Sequence, residues 1–444
     1  MLATEQLTTV IRDALARALS AGELGSLGSL PQSILVERSK QDFHGDLTCG
    51  VALQLASGAH LPPLVIANVL ASYIQKSDLL IPNALIDLSV APPGFLNFKL
   101  GSAWLSASLV EIHKLGDEFG RSKFGNNKKV SIEYPCRSFP CRNVIYGQSL
   151  ANLFRWSGYE VCEEPDSTDY SGCDLLINIS DAQSKLNNQN YQSNQSNQNN
   201  KKTRSNQKIG QGTDKLELIL MQPARLRGVV LSGNTQSLVS AQKCTDLVDI
   251  AAAIELLNAI DDDFLRYFLV EAEPQNQIVL DLALSSQACL SNSAFFVRYA
   301  HARCCALLRQ ALEPRVNVRD RLVEPPLLSE AQFQEYLVGY KSNGDVFEDA
   351  FSINSEIFSH QKKLVMTLES FPAEISAALL KRQPGRIARF ARRVADDLQK
   401  YYQVSRVITD NSARTRANLG LIMATRQVLA NALAVIGVSA PTIM

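Results

Sequence analysis

GRIARFARRVADDLQKYYQVSRVI, residues 385–408, decides how the second half of the chain is built. Its apolar residues recur three to four apart, through Ile387, Phe390, Ala391, Val394 and Leu398, which is one face of a long helix. The same spacing runs through DLVDIAAAIELLNAI (246–260), FFVRYAHARCCALLRQAL (295–312), KKLVMTLESFPAEISAALL (362–380) and ANLGLIMATRQVLANALAVIGV (417–438). From about residue 244 onward the pattern is helical throughout, and a bundle of about five or six helices is expected.

Toward the N-terminus the pattern changes. Leu7, Val10, Ile11, Ala14, Leu15 and Leu19 mark a helix over 5–20. VALQLA (51–56) and VIANVLASYI (65–74) read as further helices, the second opened by Pro62-Pro63, since first-turn N–H groups have no intrahelical partner. IDLSVAPPGFLNFKL (86–100) reads as strand, turn, strand. KKVSIEY (128–134), NVIYGQSLANLFRWSGYE (143–160), YEVCEE (159–164) and CDLLINIS (173–180) read as strand, helix closing at Gly158, and two strands. That order implies a right-handed parallel unit. LELILMQ (216–222) returns as a strand. Between them, half of the 30 residues of 183–212 are Asn or Gln, five are Lys or Arg, and none is acidic. Such a segment buries too little apolar surface to offset its conformational entropy, so disorder is expected.

With 444 residues, two to four domains are expected. Lys+Arg and Asp+Glu are 44 each, so any nucleic-acid contact needs a local concentration of charge. Residues 381–426 supply one: 11 Lys or Arg against Asp396, Asp397 and Asp410. Within it Arg386, Arg389 and Arg393 share a helix face, an exposed stripe suited to phosphates. For a helix taken alone a solvated charged face is the commoner explanation. No apolar run reaches about 18 residues, so no membrane span is expected. The nine cysteines are scattered and no export signal is seen, so a reduced, cytoplasmic setting is expected. Cys136, Cys141, Cys162 and Cys173 form no C-x₂-C pair, so no metal is expected. Cys304-Cys305 reads as two small apolar residues.

Several motifs then stand together. DDDFLRYFLV (261–270), LDLALSSQ (280–287), AFFVRYAHAR (294–303) and the ending with Ala440, Pro441 and Met444 resemble the anticodon-binding domain of arginyl-tRNA synthetases. The family's D-A-L-R signature would fall on Asp263, Phe264, Leu265 and Arg266, with Phe in place of Ala. Its Y-A-H-A-R is intact from Tyr299 to Arg303. HGDLTCGVALQLA (44–56) and APPGFLNFKL (91–100) resemble the family's N-terminal additional domain, which docks on the outer corner of tRNA.

The resemblance implies a multidomain α+β and α/β protein: an N-terminal α+β additional domain (1–124), a truncated Rossmann-like middle (125–182), the Asn/Gln-rich linker (183–212), a remnant of the catalytic α/β region (213–243) and an all-α helical bundle (244–444). It implies tRNA, by inheritance arginine tRNA, as the partner, with a tRNA-modifying or translation-related protein as a further candidate. The tRNA-binding set it implies is Phe95, Asn97, Tyr299, Arg303, Arg386, Arg389, Arg393, Arg406 and Met444. An aromatic plane and an amide edge, Phe95 and Asn97, suit an unstacked base. Taken without the family, Phe95 is equally a core residue and Asn97 a turn residue. His301 lies between Tyr299 and Arg303, and alternating positions cannot share one helix face, so His301 is expected to be packed.

The middle departs from the family. Where H-[VI]-G-H belongs, the chain reads CRSFPC (136–141), without histidine. Where the K-M-S-K loop belongs, VVLSGNTQSLVSAQKCTDL (229–247) offers only Lys243. Those residues aim donors at the reacting phosphates of ATP, and each such preorganised donor is worth on the order of 10²–10³ in rate. The expectation is a tRNA-binding relative with no catalytic residue and no cofactor. A working arginine–tRNA ligase and a protein-interaction scaffold are the alternatives.

Overall fold

The computed structural model describes residues 3–25, 31, 33–39, 44–81, 84–134, 142–163, 174–181, 216–221, 224–227, 248–249, 261–276, 278–281, 284, 287–312, 315–316, 323–324, 355–409 and 412–444. The expectations for 136–141, 183–212 and 229–247, and most of that for 246–260, lie outside these residues.

The helices, in chain order, are α1 (Ala3–Ser20), α2 (Val51–Ala59), α3 (Pro63–Gln75), α4 (Ser102–Leu115), α5 (Arg142–Trp156) and α6 (Asp262–Glu271). They continue as α7 (Ser293–Leu312), α8 (Ser355–Glu369), α9 (Phe371–Lys381), α10 (Gly385–Val404) and α11 (Ser412–Ile436). The strands are β1 (Val36–Arg38), β2 (Leu47–Cys49), β3 (Leu85–Ala91), β4 (Phe95–Leu100), β5 (Lys129–Glu133), β6 (Glu160–Cys162) and β7 (Leu175–Asp181). They are followed by β8 (Leu216–Met221), β9 (Ala224–Arg227), β10 (Val248–Asp249), β11 (Ile278–Asp281), β12 (Arg315–Val316) and β13 (Val323–Glu324).

Two compact units result. The first comprises 1–116, 308–369 and 401–424; the second comprises 117–307, 370–400 and 425–444. In the first, an antiparallel sheet of order β1-β2-β4-β3 is packed by the apolar faces of the surrounding helices. Leu96, Phe98 and Leu100 of β4 alternate into the core with Ile66, Leu70 and Ile74 of α3 and Val10, Ile11 and Leu15 of α1. Asp46 joins distant parts of this unit. Its carboxylate accepts the Leu100 backbone N–H at 2.7 Å and pairs with Lys362 of α8 at 2.8 Å, both side chains being only 14% exposed. A second buried cluster links α8, α10 and α11: Gln361 and Tyr401 both donate to Asn418 Oδ1, at 3.2 and 2.8 Å.

In the second unit, a parallel sheet of order β6-β5-β7-β8 carries α5. The helix stops where Gly158 takes φ +80°, a conformation that favours glycine. Twelve of the fifteen α5 residues are buried. Arg142, at its start, donates to the carbonyls of Asn276 (2.9 Å), Glu273 (2.9 Å) and Ala272 (3.4 Å) just past α6. Tyr146 donates to Arg382 O at 2.6 Å and Ser149 to Ile436 O at 3.1 Å. Phe119, Phe371 and Phe390 stack in series, with centroids 6.1 and 5.2 Å apart. Helix α5 is therefore a packed part of this unit.

Three expectations differ from the structure. The chain after residue 244 is not helical throughout, because β11 runs parallel to β9, which pairs antiparallel with β10. Ile278-Val279-Leu280 is a short apolar run, and periodicity cannot tell such a run from a piece of helix. The stretch 362–380 is two helices, broken at Ser370. Pro372 lacks an N–H and fits the first turn of α9 rather than a helix interior. Also, Arg414–Ile436 is long and apolar enough to cross a bilayer by length and composition, although no such run was expected. It is 78% buried inside the protein, as a core helix is.

The Asp46–Lys362 pair generates a prediction. Lys362→Ala leaves a largely desolvated carboxylate without its cation and should cost roughly 2–3 kcal/mol, somewhat less than the loss of a fully buried pair. Urea unfolding of the whole chain, compared with wild type, measures it.

Candidate nucleic-acid interface

Arg386, Arg389 and Arg393 do share a face of α10, but that face is not bare. Glu374 of α9 holds two of them, Arg386 at 3.0 Å and Arg393 at 2.6 Å. Arg389 donates to the Glu271 backbone carbonyl at 2.7 Å and lies 3.8 Å from the Glu273 carboxylate. Glu271 itself is buried enough to raise its carboxyl above the usual range, against the opposing pull of Arg392 and Arg389. The helices approach closely here because residue 385 is glycine: a Cβ would stand 2.4 Å from Val270 O. The expected exposed stripe is thus corrected to a half-buried seam of the second unit. Helical spacing says which residues share a face, not whether solvent or protein lies against it. Among the described basic residues of 381–426, Lys381, Arg393, Lys400 and Arg406 are exposed. Arg406 lies in the turn after α10, where its backbone carbonyl accepts from Asn418 at 3.3 Å.

Phe95 and Asn97 lie on β4, so they project to one side of the strand. Phe95 is partly exposed beside the turn 92–94, its ring against Gly50. Asn97 is mid-strand and 5% exposed, and its Oδ1 accepts from Thr48 Oγ1 at 2.9 Å. The turn position considered for Asn97 is therefore not what it occupies. Of the pair, only the Phe95 ring meets solvent.

The second unit holds a pocket of about 190 Å³ lined by Asp261, Phe264, Gln287, Phe295, Arg298 and Met444, with Ala288, Asn292 and Ala294 completing it. Local sequence builds each wall. Asn292 starts α7 by accepting the Phe295 N–H at 3.0 Å, the usual task of an N-cap. Asp261 does the same for α6, accepting from the Asp263 N–H at 3.1 Å. In the first turn of α7, Phe295 stacks on Tyr299 at 5.7 Å with rings 13° from parallel. Tyr299 is 38% exposed, and Arg303, one turn further along the same face, is exposed. His301 points the other way. It is 4% exposed, and its Nδ1–H donates to Pro441 O at 2.8 Å. Burial lowers its pKa below the ordinary value, Arg426 lowers it further, and the Pro441 bond opposes both.

The pocket therefore combines aromatic and thioether walls with a carboxylate, an amide and a guanidinium, a lining that can hold one flat heterocycle and read its edge. Of the residues expected from the sequence, Met444 lines it directly and Tyr299 supports Phe295 from behind. Phe95, Asn97 and Arg406 belong to the first unit. The expected set omitted Asp261, Phe264, Gln287, Phe295 and Arg298. Phe295 and Arg298 were legible in principle, since both lie within a turn of Tyr299.

The arginyl-tRNA synthetase N-terminal domain family matches residues 5–100, and the DALR anticodon-binding domain family matches residues 338–444. An arginine–tRNA ligase of Desulfitobacterium hafniense is 23% identical over 578 aligned positions, covering 96% of each chain. Since this chain has 444 residues, more than a hundred positions of that relative face no residue here. Arginyl-tRNA synthetase of Thermus thermophilus shares the fold with a TM-score of 0.55 at 14% identity, over the full length of both chains. That of Plasmodium falciparum does so with a TM-score of 0.60 at 10% identity, over 99% of each.

Two predictions belong to this geometry. The triple change Arg386→Ala, Arg389→Ala, Arg393→Ala should destabilise the chain by roughly 2 kcal/mol in urea, because it strips Glu374 of both partners. His301 has a folded-state pKa below the ordinary 6.5. In that window the unfolded chain binds the extra proton, so its contribution is intact above about 6.5 and is lost as pH falls below it. His301→Gln should flatten the decline in urea midpoint between about pH 7.5 and pH 5.

Proposed function

We propose that this chain, a member of the arginyl-tRNA synthetase family with that family's N-terminal and DALR domains, binds tRNA and does not charge it. The segment 1–124 grips the tRNA elbow and the bundle 244–444 holds the anticodon arm. Arginine tRNA is the ligand inherited from the family. The observation that carries the non-catalytic reading is chemical. The segment that should present histidines to the triphosphate reads CRSFPC, and the segment that should present the lysine loop offers only Lys243. Without those donors the charge that develops on the phosphate oxygens during adenylate formation has nothing preorganised to stabilise it. The shortfall of more than a hundred positions against a full-length relative supports the same reading.

A second reading rests on the names of the relatives. Proteins that align along 96% of this chain are arginine–tRNA ligases, so retained ligase activity is the rival. It requires ATP, arginine and tRNA to react at a site rebuilt from other residues.

Gel shifts with arginine tRNA and with mixed tRNA, each at two salt concentrations, test the binding. Selective binding that weakens with salt is expected. Tyr299→Ala should cost about 1–3 kcal/mol of it, the usual worth of one stacked base. A charging assay with ATP and arginine should show no aminoacyl-tRNA, and turnover at an ordinary enzymatic rate would refute the non-catalytic reading.

A further inference from the structure

Asp263, Arg298 and His301, in or beside the two most recognisable motifs of the helical half, point at other protein groups, whereas Tyr299 and Arg303 are exposed. Asp263 accepts the Ser439 backbone N–H at 2.9 Å and also the Ser439 hydroxyl. Arg298, which pairs with Asp261 and with Asp263 (3.0 Å), adds a bond to the same hydroxyl at 3.3 Å. His301 takes the carbonyl of Pro441. Residues from α6 and α7, far apart in sequence, thus converge on Ser439 and Pro441. Those residues follow α11, which ends where Gly437 takes φ +73° and Val438 N–H bonds back to Leu433 O. Three residues beyond Pro441, Met444 forms a wall of the pocket.

We infer that Asp263, Arg298 and His301 form a clasp whose task is to hold segment 438–444 so that the Met444 side chain closes the pocket. They are positioning residues, and the inference rests on the tRNA-binding reading for its functional consequence. The physical argument is one of local stability. Ser439 and residues 442–444 are exposed, and Ile443 is 74% and Met444 50% exposed, so apolar burial alone holds this segment weakly. A short exposed segment without such anchoring frays. Charge-assisted hydrogen bonds to Asp263 and Arg298 are the stronger kind, and here they are applied at the hinge of the segment rather than at its tip. The tip is then preorganised without being buried, which leaves it available to a ligand. The clasp also explains why an acid stands at 263, beside a pocket that would receive an RNA: its charge is engaged by Arg298 and Ser439 rather than directed at phosphate.

The test uses the whole chain labelled on methionine methyls. The chain has five methionines, so Met444→Leu identifies the Met444 signal by its disappearance. In wild type that signal is expected to be shifted and broadened by an ordered environment. In Asp263→Asn and in Ser439→Ala it should become narrow and random-coil-like, while Ser439→Thr, which keeps the hydroxyl, should resemble wild type. Ser439 is exposed, so its variants do not threaten folding. A Met444 methyl that is already random-coil-like in wild type, or unmoved by both disruptive variants, overturns the clasp. The functional arm measures tRNA affinity. Asp263→Asn and Met444→Ala should each weaken binding by a similar factor, roughly 3- to 30-fold, and together by no more than either alone. Additive losses overturn the inference that Asp263 acts through Met444. If wild type binds no tRNA, the tRNA-binding reading fails, and the methyl signals still decide the clasp.

Discussion

Arg142 carries a constraint from which much of the second unit follows. The carbonyls of the turn that follows α6 face protein rather than water, and buried carbonyls need donors. The Arg142 guanidinium, 5% exposed, supplies donors to three carbonyls there. Burial lowers its pKa to about 10, so it keeps its charge at neutral pH. That contact places α5 beside α6, and the remaining bonds of α5 follow: Arg266 donates to Gln148 at 2.8 Å, and Ser149 reaches the end of α11. Arginine rather than lysine suits the position, since only a planar fork of five donors can serve several acceptors at once.

This gives a physical reason for α5 to persist beside a region that, on the proposed reading, no longer does chemistry. A helix with nearly every residue buried cannot be removed without leaving cavities in the helices around it. The segment that reads CRSFPC in place of the family signature precedes this helix in sequence. Exposed positions and seams are likewise divided among the arginines. Arg386 and Arg389 hold helices together through Glu374 and the α6 end, whereas Arg303 and Arg406 are exposed. Residue type alone does not distinguish these uses.

Much of the fold was legible because it rests on local pattern. The helix over 3–20, the pair α2 and α3, the hairpin β3–β4 and the strand–helix–strand around α5 follow from period and punctuation. Misreadings occurred where two structures share one local pattern: β11, an apolar run too short for its period to decide, and the α8–α9 break, where apolar spacing continues across the interruption at Ser370. Of the residues lining the pocket, the sequence singled out only Met444. Met444 and Tyr299 were expected from motifs. Asp261 and Gln287 reach it from separate loops, and no spacing rule connects them to Phe295.

The amino-acid sequence by itself determined most of the helices and strands and which side chains share a face, because these depend on residue type and near-neighbour spacing. The tertiary structure alone decided which face meets solvent and which meets protein. It turned an arginine row into a seam, buried Asn97 against Thr48, and aimed Asp263 and His301 at Ser439 and Pro441. Those outcomes depend on residues as much as 176 positions away. An interaction that strong at 3 Å and negligible at 10 Å is invisible until the chain has folded to bring its partners together.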